Sequence, residues 1–196
     1  MTESLQELLS ELEQFGETND NNITDRPRRM LNITRDTGEF LSVLIRATNA
    51  QRVLEIGTSN GYSTLWLADA SNAIGGKVTT VELSEYKFNL AAQNFERSDL
   101  SSIINQVHGD AGDLLSEAKD STYDLIFLDS ERPEYPSWWP DLKRVIRPGG
   151  LLVVDNAISH SDEMAPFISL VESDPNFSTS LVPVGKGEYL ATRSTS

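Results

Sequence analysis

The sequence predicts an α/β fold in which a mostly parallel, doubly wound sheet carries helices on both faces. Short apolar, strand-like runs alternate with amphipathic helical stretches between residues 52 and 155. Parallel strands can be joined only by crossover connections, and alternating strands and helices supply such crossovers. After this region, two strand-like runs flank the turn Gly185-Lys186-Gly187, which predicts a C-terminal antiparallel hairpin.

Composition excludes several classes of function. The chain has 196 residues and a net charge of −14, so it has no broad basic surface for nucleic acid or for an anionic membrane. It has no cysteine, which rules out disulfides, thiolate metal sites and a cysteine nucleophile. No apolar run reaches transmembrane length, and the acidic first residues do not resemble a signal peptide. We therefore expect a cytoplasmic protein.

The N-terminal part is predicted to form a helix followed by a connecting segment. A stripe of leucines predicts a helix over Ser4–Phe15, and the polar residues 16–28 predict a mobile connection. The helix is too short to fold alone. We therefore assign residues 1–28 to an N-terminal helix with its mobile connection, and residues 29–196 to the main domain. Thr34 is the predicted N-cap of a second helix.

The remaining elements follow in alternation. The predicted strands are Arg52–Ile56, Lys77–Glu82, Ile103–His108, Tyr123–Asp129 and Leu151–Asp155, and then Ser178–Val184 and Glu188–Thr192 in the hairpin. The predicted helices lie near Tyr62–Ala70, Glu85–Ser98, Ala111–Ala118, Tyr135–Ile146 and Asp162–Glu172. Arg147-Pro148-Gly149-Gly150 has the composition of a compact turn before the fifth strand.

The segment Arg52–Thr64, RVLEIGTSNGYST, combines a buried strand, a glycine-containing loop and the start of a helix. This order brings backbone N–H groups close to a ligand. The loop lacks the G-x-G-x-x-G spacing of dinucleotide folds and the Lys-Ser/Thr of a phosphate loop. A nicotinamide-dependent oxidoreductase is therefore disfavoured.

Acidic residues recur at or just beyond the predicted strand ends. They are Glu55, Glu82, Asp110, Asp129 and Asp155. In an open α/β sheet, ligands bind beyond the carboxyl ends of the strands, so these side chains predict an acidic cleft suited to a cationic ligand.

The run E-I-G-T-S-N-G-Y-S, followed by Glu82 at a strand end, resembles the cofactor motifs of class I S-adenosylmethionine-dependent methyltransferases. Within that class it is most similar to the catechol and caffeoyl-CoA O-methyltransferase-like family, from about Met30 to Arg193. The resemblance implies the Rossmann-like class I methyltransferase fold, S-adenosylmethionine as cofactor and O-methylation of a small hydroxyl compound, with an aromatic one expected. It also implies a homo-oligomer, expected to be a dimer.

The resemblance also implies the cofactor-binding residues. Glu82 is expected to accept both ribose hydroxyls. Asp110 is expected either to bind the adenine amine or to cap the following helix, and Glu55 either to bind the cofactor or to brace the loop. The full set is Ile33, Glu55, Gly57, Ser59, Gly61, Ser63, Glu82, Leu83, Gly109, Asp110, Ala111 and Asp129.

Asp129, Asp155 and Asn156 are the predicted metal ligands. They end the fourth and fifth strands, and neighbouring parallel strands bring such ends together. Ligation by oxygen atoms alone suits Mg²⁺ best, with Mn²⁺ and Ca²⁺ as alternatives. The same residues match the metal ligands of the resembled family. Without a metal, Asp-Asn after a strand would be only a turn or a cap.

One position departs from the family pattern. A lysine usually follows three residues after the first metal-binding aspartate, and here that position is Arg132. Arginine stays protonated and cannot act as a base. With Asp129, Arg132 is the candidate catalytic residue, stabilising an oxyanion or binding a substrate carboxylate. Proton removal would then depend on the metal, on Glu131 or on water.

Three further residues near this region have two interpretations each. Of Trp138 and Trp139, one is expected in the core, and the other either walls an aromatic pocket or is structural as well. His160 could be a ligand or base, or neither.

Two functional alternatives also stay open: a methyltransferase without a metal, and a methyltransferase fold that binds cofactor without turnover.

Overall fold

The structure, a computed structural model, describes residues 1–195. Ser196, the last residue of the predicted main domain, lies outside the described residues. The helices are α1 Glu3–Asn22, α2 Arg35–Thr48, α3 Tyr62–Asn72, α4 Glu85–Arg97, α5 Ala111–Glu117, α6 Tyr135–Val145 and α7 Ser161–Glu172. The strands are β1 Arg52–Ile56, β2 Lys77–Glu82, β3 Ile104–His108, β4 Tyr123–Leu128, β5 Ile146–Val154, β6 Phe177–Val182 and β7 Glu188–Arg193.

The seven strands form one sheet in the order β3-β2-β1-β4-β5-β7-β6. Strands β1 to β5 are parallel, whereas β7 pairs antiparallel with both β5 and β6. This confirms the predicted mostly parallel sheet with a C-terminal antiparallel hairpin. The strand order reverses between β1 and β4, which is where an open α/β sheet forms its ligand crevice.

Helices pack on both faces of the sheet because the strand side chains alternate between two cores. On one face, Val53 of β1 and Phe127 of β4 pack with α1, α2, α3 and α4. On the other face, Leu54 and Ile126 pack with α5, α6 and α7. Both cores together hold the strand ends in fixed positions.

Helix α1 differs from its predicted length. It runs to Asn22 rather than ending at Phe15, so part of the predicted connection is helical. Gly16 is buried inside the helix, and a Cβ atom there would lie 2.5 Å from the amide nitrogen of Asn32. The α1 leucines belong to the same core as β1. Glycine at position 16 thus permits close packing and does not end the helix.

Strand β5 also differs from its predicted start. The residues Arg147-Pro148-Gly149-Gly150 were predicted to form a turn before the strand, but β5 already begins at Ile146. They lie at an irregularity: Tyr123 pairs with Ile146, whereas Leu125 pairs with Leu151. The positive φ of Gly149, +72°, fits such a bulge.

None of the helices in residues 1–195 combines the length and apolar character that crossing a bilayer requires.

Candidate active site

A cavity of about 710 Å³ opens at the carboxyl ends of the central strands. Many predicted site residues line it, namely Ile33, Gly57, Ser59, Ser63, Glu82, Leu83, Gly109, Asp110, Ala111, Asp129, Arg132 and Asn156. Three others, Glu55, Gly61 and Asp155, are not among the lining residues. The volume suits a nucleoside-sized ligand together with a small second molecule.

The loop after β1 is tied to the end of β2 through Glu82. One carboxylate oxygen of Glu82 accepts from the backbone N–H of Ser59 at 2.8 Å, and the other accepts from that of Ser84 at 2.9 Å. Each oxygen keeps a further lone pair for a ligand hydroxyl. Glu82 is thereby fixed in orientation at one end of the cavity.

Gly57 lies where β1 and β4 diverge. Its φ of +108° is unfavourable for residues with a side chain, and a Cβ atom would lie 2.1 Å from the backbone oxygen of Asp129. Gly61, with φ of +87°, begins α3, and a Cβ atom there would lie 2.5 Å from the ring of Phe95. Because neither glycine has a side chain, the backbone at both positions can lie close to neighbouring atoms. Gly61 does not line the cavity.

Glu55 lies beneath the loop and has no solvent exposure. It accepts hydrogen bonds from Ser63 at 2.5 Å, from Thr64, and from Thr80 at 2.7 Å. Burial raises the pKa of Glu55 to about 7, although these three hydroxyl groups favour its anion. Of the two interpretations of Glu55, these contacts favour bracing of the loop.

The segment between α1 and α2 forms a wall of the cavity, to which the predicted cofactor contact Ile33 belongs. Ser59 donates to the backbone oxygen of Met30 at 2.7 Å. On the far side of this segment, Asp20 of α1 accepts from the N–H groups of Met30 and Leu31 at 2.7 and 2.8 Å. Asp20 lies in a polar stretch with no local pattern that marks it as functional.

The opposite wall is formed by the start of α5. Gly109 donates its N–H to the backbone oxygen of Glu82 at 3.0 Å. Asp110 caps α5, accepting from Gly112 and Asp113 at 2.7 and 3.2 Å. The N-cap interpretation of Asp110 is therefore realised, and its side chain also lines the cavity.

The two tryptophans differ in burial, and one lies in the core as predicted. Trp139 is buried and packs edge-on against Phe167 at a ring-centroid distance of 5.9 Å. Trp138 lines the cavity, and a Cβ atom on Gly112 would lie 3.1 Å from its indole nitrogen. Trp138 thus covers the start of α5.

Asp129, Asp155 and Asn156 meet at the other end of the cavity. The side-chain amide nitrogen of Asn156 lies 3.3 Å from a carboxylate oxygen of Asp129 and 2.7 Å from one of Asp155. Burial raises the pKa of Asp129 well above its usual range, and the charge of Asp155 raises it further. Burial also raises the pKa of Asp155. A partly buried and a buried carboxylate that share the Asn156 amide as a neighbour favour a bound cation.

No group of three or more His, Asp or Glu side chains within residues 1–195 is arranged to hold a metal ion. The available oxygen donors are the two aspartates and, after rotation of its amide group, Asn156. Such a donor set fits Mg²⁺ or Mn²⁺ with several remaining water ligands.

Two cations lie near the carboxylate pair. Arg132 is buried, lines the cavity and donates from Nε to Glu163 at 2.8 Å. Lys186, in the turn before β7, also lines the cavity, and its charge partly offsets the rise in the pKa of both aspartates. His160 lines the cavity with its Nδ1 2.9 Å from the hydroxyl of Ser159. This end of the cavity is therefore rich in charged groups of both signs.

Comparison with known proteins gives a consistent picture. Residues 2–194 match a protein family described as O-methyltransferase. A catechol O-methyltransferase of Niastella koreensis is 31% identical over 141 residues, covering 70% of this chain and 63% of that relative. The chain thus spans less than two thirds of the length of this relative.

Two solved structures share the fold. The O-methyltransferase from Bacillus cereus, solved in complex with SAH, is 26% identical, with a TM-score of 0.80 over 96% of this chain and 91% of that one. The O-methyltransferase TomG from Streptomyces achromogenes, solved in complex with SAM, is 25% identical, with a TM-score of 0.77 over 99% of this chain and 91% of that one. With a family match over nearly the whole chain, this protein belongs to the O-methyltransferase family.

Proposed function

We propose that this protein transfers a methyl group from S-adenosylmethionine to a hydroxyl group of a small aromatic molecule, assisted by a divalent cation, with Mg²⁺ as the first choice. The observation that supports this most directly is the layout of the cavity. Glu82 lies in the cavity wall on the β2 side, and Asp129 and Asn156 lie in the wall formed by β4 and β5. One cavity can therefore hold a nucleoside and an acceptor hydroxyl together.

The cofactor side uses fixed groups. The carboxylate of Glu82, whose orientation is set by two backbone N–H groups, would accept hydrogen bonds from the ribose hydroxyls. Gly57 lets the backbone approach the methionine part. Trp138 and Ala111 line the cavity and would cover the nucleobase. S-adenosylmethionine supplies the electrophilic methyl group on its sulfonium when it is bound.

Asp129, Asp155 and Asn156 would hold the cation through their side-chain oxygens. A divalent cation supplies Lewis acidity that favours the anion of a phenol, whose pKa is otherwise near ~10. The raised pKa values of the two aspartates support this assignment: burial makes both carboxylates costly to ionise, the charge of Asp155 adds to that cost at Asp129, and a bound cation would offset it.

Arg132 provides a permanent positive charge in place of the lysine seen in the resembled family. Its Nε–H donates a hydrogen bond to Glu163, and its other N–H groups make no hydrogen bond within residues 1–195. These groups are available to a phenolate oxygen or to a carboxylate on the substrate. Arg132 thus orients the acceptor and stabilises its charge, without accepting its proton.

The test is a methyl-transfer assay of the full chain with S-adenosylmethionine, Mg²⁺ and a panel of catechols and flavonoids, in which S-adenosylhomocysteine is quantified. We expect product with at least one catechol, and loss of product in Glu82→Ala through weaker cofactor binding. Tight cofactor binding without product across the panel would contradict turnover and favour a cofactor-binding module.

Chelation separates the metal-dependent reaction from its alternative. We expect EDTA to abolish product and added Mg²⁺ or Mn²⁺ to restore it. Product that persists unchanged in EDTA would support a metal-independent methyltransferase. Within the same proposal the chain acts as a dimer, which light scattering after size exclusion would test.

A further inference from the structure

Lys186 lies in the turn between β6 and β7 and lines the end of the cavity at Asp129 and Asn156, which we term the acceptor end. Its side chain makes no hydrogen bond or ion pair within residues 1–195. Arg132, a second cation at this end, is instead paired with Glu163, to which its Nε donates at 2.8 Å. The positive charge of Lys186 is therefore not offset by a carboxylate in direct contact.

The turn that carries Lys186 is held from two sides. The backbone oxygen of Lys186 accepts from the N–H groups of Ile158 and Ser159 at 3.2 and 3.0 Å. On the other side, the N–H of Gly185 donates to a carboxylate oxygen of Asp36 at 3.1 Å. The backbone around Lys186 is thus fixed both to the loop after β5 and to the start of α2.

The glycines that flank Lys186 permit this close packing. Gly185 has a φ of +54° and Gly187 a φ of +97°, conformations that residues with a side chain rarely adopt. A Cβ atom at Gly185 would overlap with the hydroxyl of Thr37, and one at Gly187 would overlap with Ile158. Of the three turn residues, only Lys186 lines the cavity. The turn therefore presents one side chain to the site, from a backbone that has little freedom to move.

Electrostatic effects also place the ammonium group of Lys186 at the acceptor end. Its charge partly offsets the rise in the pKa of Asp129 and of Asp155. Other charged or titratable side chains around the two aspartates are Arg132, His160, Glu163 and Glu188, the buried first residue of β7. Lys186 thus lies in the region where the proposed reaction puts the acceptor oxygen.

The proposed reaction needs negative charge on that oxygen. The acceptor hydroxyl loses its proton to water, a lone pair of its oxygen forms the bond to the methyl carbon, and the electrons of the broken S–C bond stay on sulfur. A phenol ionises near pH ~10, so a cation that favours the anion increases the reactive population at neutral pH. An opposite charge within about 4 to 6 Å typically changes a pKa by about 1 to 3.

We propose that Lys186 is a second catalytic cation, whose ammonium group contacts the acceptor oxygen and stabilises its anion together with Arg132. This rests on the proposed function, because a hydroxyl acceptor must occupy the acceptor end. Lys186 acts through its charge and does not accept the proton. A charged replacement should therefore preserve its effect, whereas a neutral side chain of similar length should not.

The experiment measures the pKa of a bound acceptor rather than turnover. Nitrocatechol absorbs visible light when it is ionised, so its pKa can be followed by absorbance in the complex of the full chain with S-adenosylhomocysteine and Mg²⁺. Lys186→Gln should raise the pKa of the bound nitrocatechol by about one. Lys186→Arg keeps the positive charge, so the pKa should stay close to its wild-type value.

Two controls separate this effect from a change in net charge or in the fold. Lys77→Gln removes the same charge at the start of β2, at the opposite edge of the sheet, and should leave the pKa of the bound nitrocatechol unchanged. The affinity for S-adenosylhomocysteine should stay within about twofold in every variant, because Lys186 lies at the acceptor end.

Turnover provides a second readout that a merely structural turn residue would not change in this way. With S-adenosylmethionine and nitrocatechol, kcat of Lys186→Gln should fall by up to about tenfold at a pH below the pKa of the bound acceptor. Above that pKa, kcat should approach the wild-type value, because the acceptor is then ionised in both proteins.

Several outcomes overturn the proposal. One is an unchanged pKa of bound nitrocatechol in Lys186→Gln, and another is an equal rise in Lys186→Arg and Lys186→Gln. A wild-type protein that binds S-adenosylhomocysteine but no nitrocatechol overturns it as well. Product formation across the catechol panel judges the proposed function separately. Methyl transfer with no effect of Lys186 would thus reject only the role of this residue, and a changed pKa without product would support that role while contradicting turnover.

Discussion

Glu55 is the residue at which the site and the stability of the fold are most directly linked. Its pKa is raised from 4.5 to about 7 by burial. A group whose pKa is higher in the folded than in the unfolded protein makes its full contribution to stability at pH values below the unfolded pKa. That contribution is lost as the pH rises through the folded pKa, here between about 4.5 and 7. The difference between these two pKa values corresponds to about 3 kcal/mol in the free energy of folding.

We therefore expect the Glu55→Gln variant to gain stability relative to wild type as the pH rises. The difference in free energy of unfolding between the two proteins should change by about 3 kcal/mol between pH ~4.5 and pH ~8, measured by urea denaturation. Glu172→Gln, which removes an exposed carboxyl group of α7, is the control for the loss of a surface acid. A flat difference for Glu55→Gln would mean that the carboxyl group is ionised throughout this range.

Gly57 permits a second test at a single residue. A Cβ atom at position 57 would need both an unfavourable φ and space occupied by the backbone oxygen of Asp129. We expect Gly57→Ala to lower the free energy of unfolding by more than about 2 kcal/mol. Gly109→Ala is the matched control, since no atom lies within 4 Å of a Cβ atom there. Equal losses in both variants would contradict the steric argument.

At the scale of elements, α1 holds the cofactor wall in place. Asp20 accepts two backbone N–H groups from the segment after α1, and the resulting hydrogen bonds lower the pKa of Asp20 against the effect of its partial burial. The neighbouring Leu31 has a positive φ of +53°, a conformation that needs such support.

Removing this carboxylate should therefore loosen the wall. We expect Asp20→Ala to weaken S-adenosylhomocysteine binding by about tenfold, corresponding to the loss of charge-assisted hydrogen bonds. Mn²⁺ affinity should stay at the wild-type value, since Asp20 does not contact the aspartate pair. Glu17→Ala, an exposed acid on the same helix, is the control and should bind normally. Unchanged cofactor affinity in Asp20→Ala would show that the segment keeps its position without α1.

The elements that local patterns define were predictable, and those that depend on distant contacts were not. The apolar runs of β1 and β2 gave their bounds without error. Helix α1 was predicted too short, because the burial of Gly16 depends on Asn32 from another segment. The turn-like residues after Ile146 are absorbed into β5 because β4 pairs on both sides of them.

The same distinction applies to the site. Residues at the ends of parallel strands, such as Glu82 and Asp129, follow from the strand pattern and the resemblance, because such strand ends converge at one edge of the sheet. No sequence pattern indicated that Glu188 lies near the site, since it is simply the first residue of a strand after a glycine turn. The antiparallel register of β7 against β5 is what brings it to Asp155.

At the scale of the whole molecule, the net charge of −14 favours cationic ligands. The cavity itself is lined by charges of both signs, among them Glu82, Asp110 and Lys186, so this preference comes from the charge of the whole chain. S-adenosylmethionine carries a sulfonium and an ammonium against one carboxylate and is a net cation, whereas S-adenosylhomocysteine lacks the sulfonium and is neutral overall. The field of the protein should therefore accelerate the association of the first ligand and hardly affect that of the second.

This prediction can be tested by varying the salt concentration, because added salt shortens the distance over which the field of the protein acts. In stopped-flow fluorescence, the association rate constant of S-adenosylmethionine should fall about threefold or more between ~20 mM and ~500 mM NaCl. The rate constant of S-adenosylhomocysteine should change much less, which controls for effects of salt on the fold. Parallel decreases for both ligands would mean that salt acts on the protein rather than on the encounter. Mn²⁺ binding at the aspartate pair should reduce the salt dependence for S-adenosylmethionine, since a bound cation offsets the nearest negative charges.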